Sequence, residues 1–187
     1  MKFIEKEIKG VFEIVFDPKE DERGFFMRAY DKKIFENHGI KFDFVQENHS
    51  LSKHKGTIRG LHFQYPPDCE CKLMRTITGE IFLAIVDIRK DSPTFGRWTS
   101  IVLSEHKKNM AIIPRGCTNG ICTLTDNCHL IYKVDSYYNP NNEAVISWDD
   151  PDLNINWPIK NPSVISERDK TGMSFQEFKK KHGGLKP

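Results

Sequence analysis

Residues 72–90 read KLMRTITGEIFLAIVDIRK, and this stretch decides the fold class. Both halves are rich in Ile, Leu, Val, Phe and Thr, which favour strands over helices. The halves meet at Thr78–Gly79–Glu80, and a Gly between two short apolar runs is typical of a junction between strands. The stretch therefore predicts two consecutive strands.

The same pattern continues on both sides of this stretch. Further strands are predicted at 11–16, 44–52, 57–64, 98–103, 109–114, 120–124, 128–135 and 143–148. Turn-rich segments separate them, including DPKEDERG at 17–24, and short helices are predicted at 31–39 and 174–184. Many short strands of this kind indicate a mainly β sandwich or barrel with short peripheral helices, forming one domain over residues 1–187. Because sheet edges need to be covered, a dimer is expected.

Composition excludes several classes of partner. The 28 Lys and Arg nearly balance the 26 Asp and Glu, so the chain has no overall charge with which to bind nucleic acid. No apolar run reaches membrane-spanning length, and the N-terminal MKFIEKEIKG lacks the apolar core of a signal peptide. We therefore expect a cytoplasmic protein. Its five cysteines form no zinc-ligand pattern and are expected to be free thiols.

Seven blocks along the chain, in order, resemble the dTDP-4-dehydrorhamnose 3,5-epimerase family. They are DERGFF (21–26), VQENHS (45–50), KLMRTITGEIF (72–82), DSPTFGRW (91–98), IPRG (113–116), YKVDSYYNP (132–140) and SERD (166–169), and RGLHFQ (59–64) lies among them. The resemblance implies a jelly-roll fold of the cupin type and a homodimer in which an N-terminal segment crosses to the partner. It also implies epimerisation at C3 or C5 of a nucleotide-diphosphate 4-keto sugar in bacterial surface polysaccharide biosynthesis.

The resemblance assigns four catalytic residues. His62 is the expected base, and Asp169 is its carboxylate partner, which would fix the tautomer of the ring. Tyr132 is the expected acid on the opposite face of the sugar, and Lys72 would stabilise the developing oxyanion near O4. Such proton transfer needs neither a redox cofactor nor a metal, so none is expected.

Binding residues follow from the same resemblance. Arg23, Arg59, Gln46 and Asn48 would hold the diphosphate and the sugar, and Phe26 and Tyr138 would pack against the nucleotide base.

A regular strand would place Arg59 and His62 on opposite faces, because they are three residues apart. Gly60 lies between them, and we expect it to mark a bulge that turns both side chains inward.

Three positions depart from the family pattern. Asn119 replaces a His and Leu83 replaces an Asp, so the enzyme could invert only one centre or act on a modified sugar. Arg28 replaces a Glu expected to contact thymine. Since Arg donates well to the O6 and N7 edge of guanine, both dTDP and GDP remain open as the carrier, and a GDP-linked 4-keto heptose would fit the change.

Three other functions compete with epimerisation. A metal-dependent cupin would need an H-x-H pair, but Gln64 stands two residues after His62. A non-catalytic sugar-nucleotide binding module would need neither His62 nor Tyr132. A nucleotide-sugar 3,4-ketoisomerase would share the fold and the proton chemistry but move the carbonyl.

Overall fold

The computed structural model describes residues 1–187, which form fourteen strands and three helices. The strands are β1 (Lys2–Glu5), β2 (Phe12–Val15), β3 (Lys19–Asp21), β4 (Gly24–Phe26), β5 (Gln46–Ser52), β6 (Thr57–Gln64), β7 (Lys72–Thr78), β8 (Glu80–Asp87), β9 (Trp98–Ser104), β10 (Met110–Ile113), β11 (Cys117–Thr123), β12 (Cys128–Val134), β13 (Glu143–Val145) and β14 (Val164–Ile165). The helices are α1 (Lys32–Asn37), α2 (Glu167–Lys170) and α3 (Phe175–His182).

Two sheets form a sandwich. The first has the strand order β1-β2-β10-β7-β12-β5, and the second has the order β13-β6-β11-β8-β9, with β14 added alongside β6. Ile81, Leu83 and Ile85 of β8 pack between the sheets against Met74 and Leu130 of the first sheet. This arrangement confirms the mainly β prediction.

The predicted junction at Gly79 carries the chain from one sheet to the other. β7 belongs to the first sheet and β8 to the second, so the single residue between them turns the chain across the sandwich. Gly79 has a φ of +82°, and a Cβ there would lie 2.5 Å from Thr125 Oγ1 and 2.7 Å from Cys128 Sγ. Only Gly fits this position without strain.

Both sheets are covered on their outer faces. α1 begins at Asp31, whose side chain accepts from the backbone of Ile34, and its Phe35 is buried against the first sheet. α3 begins with a capping box between Ser174 and Glu177 and packs on the second sheet. Both predicted helices are therefore confirmed. An apolar cluster therefore lies on the outer side of each sheet, in addition to the core between the sheets.

Several short elements were not predicted from the sequence: β1, the β3–β4 hairpin, β14 and α2. The segment 17–24 was expected to be a turn, yet Lys19–Asp21 and Gly24–Phe26 pair as a two-stranded hairpin. Its polar, exposed residues lack the apolar alternation of a buried strand, which is why the pattern missed it. The four-residue helix α2 was also missed, because it is shorter than the period on which a helix prediction depends. No helix in the structure is both long and apolar enough to cross a membrane.

Candidate active site

A cavity of about 410 Å³ lies between the two sheets. This is a usual volume for a small-molecule site. Its lining is mostly polar and comes from both sheets and the loops beside them: Gln46, Asn48, His62, Phe63, Gln64, Glu70, Lys72, Tyr132, Tyr138 and Glu143. Six residues predicted from the sequence to lie at the site therefore line one cavity: Gln46, Asn48, His62, Lys72, Tyr132 and Tyr138.

A β-bulge at Gly60 turns His62 into this cavity. Along β6 the step from Arg59 to His62 is three residues, but their partners on β11, Ile121 and Asn119, are two apart. The extra residue on β6 reverses the alternation, which confirms the bulge expected from the sequence. Gly60 has a φ of +110° and lies against β11 so closely that a Cβ would be 2.6 Å from the Asn119 carbonyl oxygen.

The same bulge points Arg59 to the inner side of the sandwich. Its Nε donates to Ser52 Oγ at 3.0 Å, and its Nη2 donates to the Leu51 carbonyl at 3.2 Å. Ser52 follows Gln46 and Asn48 on the same face of β5, since the three positions differ by even numbers. Arg59 therefore lies beside the cavity, on the side where Asn48 lines it.

Asp169 forms the predicted pair with His62. His62 Nε2 lies 2.7 Å from Asp169 Oδ1, and the Gly60 backbone N–H donates to Asp169 Oδ2 at 3.1 Å. Burial alone would raise the pKa of Asp169, but the hydrogen bond from His62 and the one from Gly60 outweigh it, and the pKa is lowered. An ionised Asp169 can only accept, so Nε2 carries the ring proton and Nδ1 keeps a lone pair for chemistry.

Asp169 is held in place by the short helix α2. Ser166 caps this helix by accepting from the Asp169 backbone N–H at 3.1 Å. Arg168, the preceding residue, forms an ion pair with Glu143 at 2.5 Å, and its Nη2 lies 3.1 Å from His62 Nε2. A guanidinium group only donates, so with the ring proton on Nε2 the shorter contact with Asp169 is the hydrogen bond and Arg168 is only a neighbouring cation. A cation and two carboxylates thus surround the outer side of the imidazole.

Lys72 lies on the opposite sheet with its ammonium group in the cavity. Its Nζ donates to Asn119 Oδ1 at 2.9 Å and lies 3.1 Å from Glu70 Oε1. An ammonium group only donates, so the oxygen of Asn119 faces Lys72 and its NH₂ remains to donate elsewhere. Lys72 and Asn119 therefore form a ready set of donors for a negatively charged oxygen.

Tyr132, Gln46 and Asn48 form the wall contributed by the first sheet. Tyr132 on β12 stands opposite Asn48 on β5, and Gln46 Nε2 donates to Asn48 Oδ1 at 3.1 Å. The backbone N–H of Tyr138 donates to Gln46 Oε1 at 3.3 Å. Its hydroxyl donates to Glu143 at 2.8 Å, which raises the pKa of Tyr138. The Tyr138 ring is half exposed at the cavity mouth.

Arg23, Phe26 and Arg28 do not line the cavity of their own chain. Arg23 pairs with Asp21 within the hairpin, Phe26 is 70% exposed, and Arg28 lies 3.6 Å from Asp31. The hairpin lies beside Arg75 and Ile77 of β7. These two residues are at odd spacings from Lys72, so they lie on the face of β7 that points away from the cavity. These three side chains therefore lie outside the cavity of their own chain, on an exposed part of the surface.

Leu83, one of the departures from the family pattern, is fully buried between the sheets. Its neighbours in that core are apolar, including Ile81, Ile85 and Ile121. Leu83 pairs in register with Ile121, two residues beyond Asn119 on β11. The position expected to carry a carboxylate beside Asn119 is thus part of the dry core.

Sequence reasoning missed four residues that line the cavity, and one beside it. Phe63, Gln64, Glu70 and Glu143 line the cavity, and Arg168 lies beside it, next to His62 and Glu143. Arg168 directly precedes Asp169 in the SERD block, so the assignment of Asp169 to the site could have indicated Arg168 as well. No sequence signal distinguishes Glu70 or Glu143 from surface carboxylates, because their exposure depends on distant segments that the fold brings together.

Comparison with known proteins gives a consistent result. The family model described as dTDP-4-dehydrorhamnose 3,5-epimerase matches residues 5–177. A Shigella flexneri protein of that name is 44% identical over 178 residues, which cover 94% of this chain and 96% of the relative.

Solved structures agree with the sequence comparison. The Bacillus anthracis dTDP-4-dehydrorhamnose 3,5-epimerase, with TDP and PPi bound, superimposes with a TM-score of 0.90 at 39% identity, covering 92% of this chain and 98% of the other. A 3'-monoepimerase from Streptomyces bikiniensis, in complex with dTDP-quinovose, gives a TM-score of 0.88 at 28% identity, covering 96% and 90%. These similarities confirm the cupin-type fold.

Proposed function

Because this chain belongs to the dTDP-4-dehydrorhamnose 3,5-epimerase family, we propose that it inverts C3, C5 or both in a nucleotide-diphosphate 4-keto sugar, with His62 as the base. The chain is an isomerase that acts on nucleotide-linked 4-keto sugars. The observation that carries the catalytic assignment is the 2.7 Å contact between His62 Nε2 and the buried Asp169 carboxylate, which leaves Nδ1 as the acceptor of a proton.

The chemistry begins with a carbon acid. The C4 ketone acidifies the hydrogens on C3 and C5, and His62 Nδ1 takes one of them as a proton. The electrons of the broken C–H bond move into an enolate whose negative charge lies on O4. A donor from Lys72 and the NH₂ of Asn119 stabilise that oxygen, and Asp169 stabilises the imidazolium.

Inversion requires a proton from the other face of the sugar. Tyr132 lines the cavity on the first sheet, whereas His62 belongs to the second sheet. We propose that the Tyr132 hydroxyl protonates the enolate carbon as the electrons return from O4 and the ketone re-forms. The phenolate and the imidazolium then return to their starting states by proton exchange with solvent.

Substrate binding divides between polar and aromatic groups. Gln46 and Asn48 suit sugar hydroxyls, and Arg59 suits a diphosphate oxygen, since its planar fork fits phosphate. The Tyr138 ring at the mouth would stack on the base.

We propose that the remaining contacts come from a second copy in a homodimer, because Arg23, Phe26 and Arg28 cannot serve the cavity of their own chain. A mixture of His62→Asn and Arg23→Ala variants tests this, since a shared site recovers activity in mixed dimers. A mixture no more active than its components would refute a shared site.

Two carriers are supported by different observations. The relatives whose structures contain TDP or dTDP-sugars support thymidine. The exposed Arg28 guanidinium supports guanine, because Arg can donate to O6 and N7 but cannot accept from thymine N3–H. Titration calorimetry with GDP-mannose and dTDP-glucose distinguishes them, and a clear preference for the thymidine form would end the guanine proposal.

The decisive experiment is NMR in heavy water with dTDP- and GDP-linked 4-keto substrates. Deuterium at C3, C5 or both, with inversion, identifies the centres involved. A 3,4-ketoisomerase would instead move the carbonyl, and a binding module would give no deuterium. In the His62→Asn variant exchange should fall by about two to four orders of magnitude. Near-normal exchange in that variant would contradict the assignment of the base.

We also propose that residues 1–187 act as one domain in the cytoplasm. The two sheets share the core between them, which supports a single folding unit. All five cysteines are buried and unpaired, as is usual in a reducing compartment.

A further inference from the structure

Glu70 is a carboxylate inside the cavity to which neither the sequence nor the proposed mechanism assigns a role. Its side chain is only 15% exposed, and its Oε1 lies 3.1 Å from Nζ of Lys72, whose side chain is 10% exposed. Burying a carboxylate is costly because the charge loses its hydration. A carboxylate inside this cavity would also repel an anionic substrate. Its position therefore needs an explanation in terms of Lys72.

The backbone around Glu70 is fixed on both sides by the two cysteines that flank it. Cys69 is buried in the core outside the second sheet, and its Sγ donates to the Gln64 carbonyl at 3.3 Å. Cys71 is buried on the outer face of the first sheet, and its backbone N–H donates to Asp135 at 2.6 Å. The two neighbours are anchored in different cores, which leaves the side chain of Glu70 to point into the space between the sheets.

The two oxygens beside the ammonium group show what Glu70 does for Lys72. An ammonium group has three N–H donors in a tetrahedral arrangement and can rotate freely when unbound. Asn119 Oδ1 accepts one of these donors at 2.9 Å, and Glu70 Oε1 forms an ion pair with Nζ at 3.1 Å. The hydrogen bond and the ion pair together hold Nζ between the two oxygens, which leaves its remaining N–H groups to face the cavity.

We propose that Glu70 is a positioning residue, which together with Asn119 holds Nζ of Lys72 so that one of its remaining N–H groups meets O4 of the sugar as the enolate forms. The inference rests on the proposed function. It also accounts for the carboxylate in the cavity, since Glu70 partly offsets the charge of Lys72 while fixing its direction. Stabilisation of O4 then depends on where the donor points more than on net charge.

The proposal predicts different results for two substitutions. Glu70→Ala frees the ammonium group to rotate, and kcat for deuterium exchange should fall by about 10- to 100-fold, the scale of a misplaced catalytic group. KM should change by less than about threefold, because the contact with O4 strengthens only in the transition state. Glu70→Gln keeps an oxygen acceptor for Lys72, so kcat should stay within about threefold of the wild type or rise.

Two further variants separate positioning from a structural effect. Glu13→Ala is the matched control, because Glu13 forms a similar, partly buried pair with Lys6 at 2.9 Å outside the cavity. It should lower the urea midpoint without changing kcat. In a Lys72→Met background, adding Glu70→Ala should lower kcat by less than about twofold, because Glu70 acts only through Lys72.

The outcomes are clear in both directions. Loss of kcat in Glu70→Ala, rescue by Glu70→Gln and no further loss in the Lys72→Met background would support the proposal. Equal loss in both Glu70 variants, or unchanged kcat in Glu70→Ala, would overturn it. Failure of the proposed function itself would look different, since the wild-type protein would then give no exchange at all.

Discussion

Replacing Asp169 by Asn exchanges one carboxylate oxygen for an NH₂ group and tests the tautomer on which the proposed chemistry depends. The wild-type carboxylate accepts two hydrogen bonds, one from His62 Nε2 at 2.7 Å and one from the Gly60 backbone at 3.1 Å. An amide offers only one oxygen. The backbone N–H of Gly60 is always a donor, so it attracts that oxygen and leaves the NH₂ facing His62. The ring proton must then move to Nδ1, the nitrogen that should receive the substrate proton.

The magnitude follows from the cost of the alternative. Turning the amide round restores the useful tautomer but places two N–H groups against each other in a buried site, at about 1–3 kcal/mol. That range corresponds to about 5- to 150-fold in rate. The charged hydrogen bond to the forming imidazolium adds about 1.5–3 kcal/mol when it is lost. Asp169→Asn should therefore lower kcat by about two to four orders of magnitude.

The assay is deuterium exchange at C3 or C5, followed by NMR in heavy water. Asp150→Asn is the control, because Asp150 is another buried carboxylate that accepts from backbone N–H groups, here Leu153 and Phe175, away from the cavity. It should lose stability in urea and keep its kcat. An Asp169→Asn enzyme that is folded and exchanges within threefold of the wild type would refute the tautomer argument.

Three more predictions follow from the fold and the site. Gly60→Ala should lower the free energy of unfolding in urea by about 3 kcal/mol, because the added Cβ would meet β11 in a strained conformation. Gly39 also has a positive φ, of +77°, but has open space around it, so Gly39→Ala should cost only about 1 kcal/mol. Equal effects of the two substitutions would contradict the close contact at Gly60. Tyr132→Phe should reduce inversion more than exchange, because abstraction survives without the opposite-face donor; equal loss in the two NMR signals would count against its role as the acid. Burial alone would raise the pKa of Asp87, but hydrogen bonds from Arg89 and nearby hydroxyls outweigh it, and the pKa is lowered. The ionised carboxylate therefore stabilises the folded protein at a pH above the pKa of Asp in the unfolded chain, about 3.9, and this stabilisation is lost as the pH falls below that pKa. Asp87→Asn should therefore flatten the acid limb of a thermal-unfolding series, and an unchanged limb would exclude Asp87 as its cause.

Much of the site could be predicted from local sequence. The block RGLHFQ contained both His62 and the Gly whose missing side chain allows the bulge, so the orientation of Arg59 and His62 followed from strand alternation interrupted by a bulge at Gly60. The strand junction at Gly79 was visible for a similar reason. Each of these features depends on a few consecutive residues, and backbone geometry applies the same rules wherever the segment ends up.

Contacts between distant segments could not be predicted in this way. His62 and Asp169 are 107 residues apart, and Lys72 and Asn119 are 47 apart, yet each pair forms a direct contact. The resemblance suggested the first pair, but only the packing of α2 beside β6 brings the atoms together. The exposed hairpin was missed because its residues carry no apolar pattern.

By itself, the sequence determined the mainly β architecture, the bulge at Gly60 and the family to which the chain is similar. Strand propensity, alternation and the conformational freedom of Gly act over neighbouring residues, so the order of residues is enough to express them. Only the tertiary structure decided that Glu70 faces Lys72, that Leu83 is in the dry core and that Arg23, Phe26 and Arg28 lie away from the cavity. Those outcomes depend on which surfaces two packed sheets bring together, and a charge or an apolar group has no fixed role until its neighbours are set.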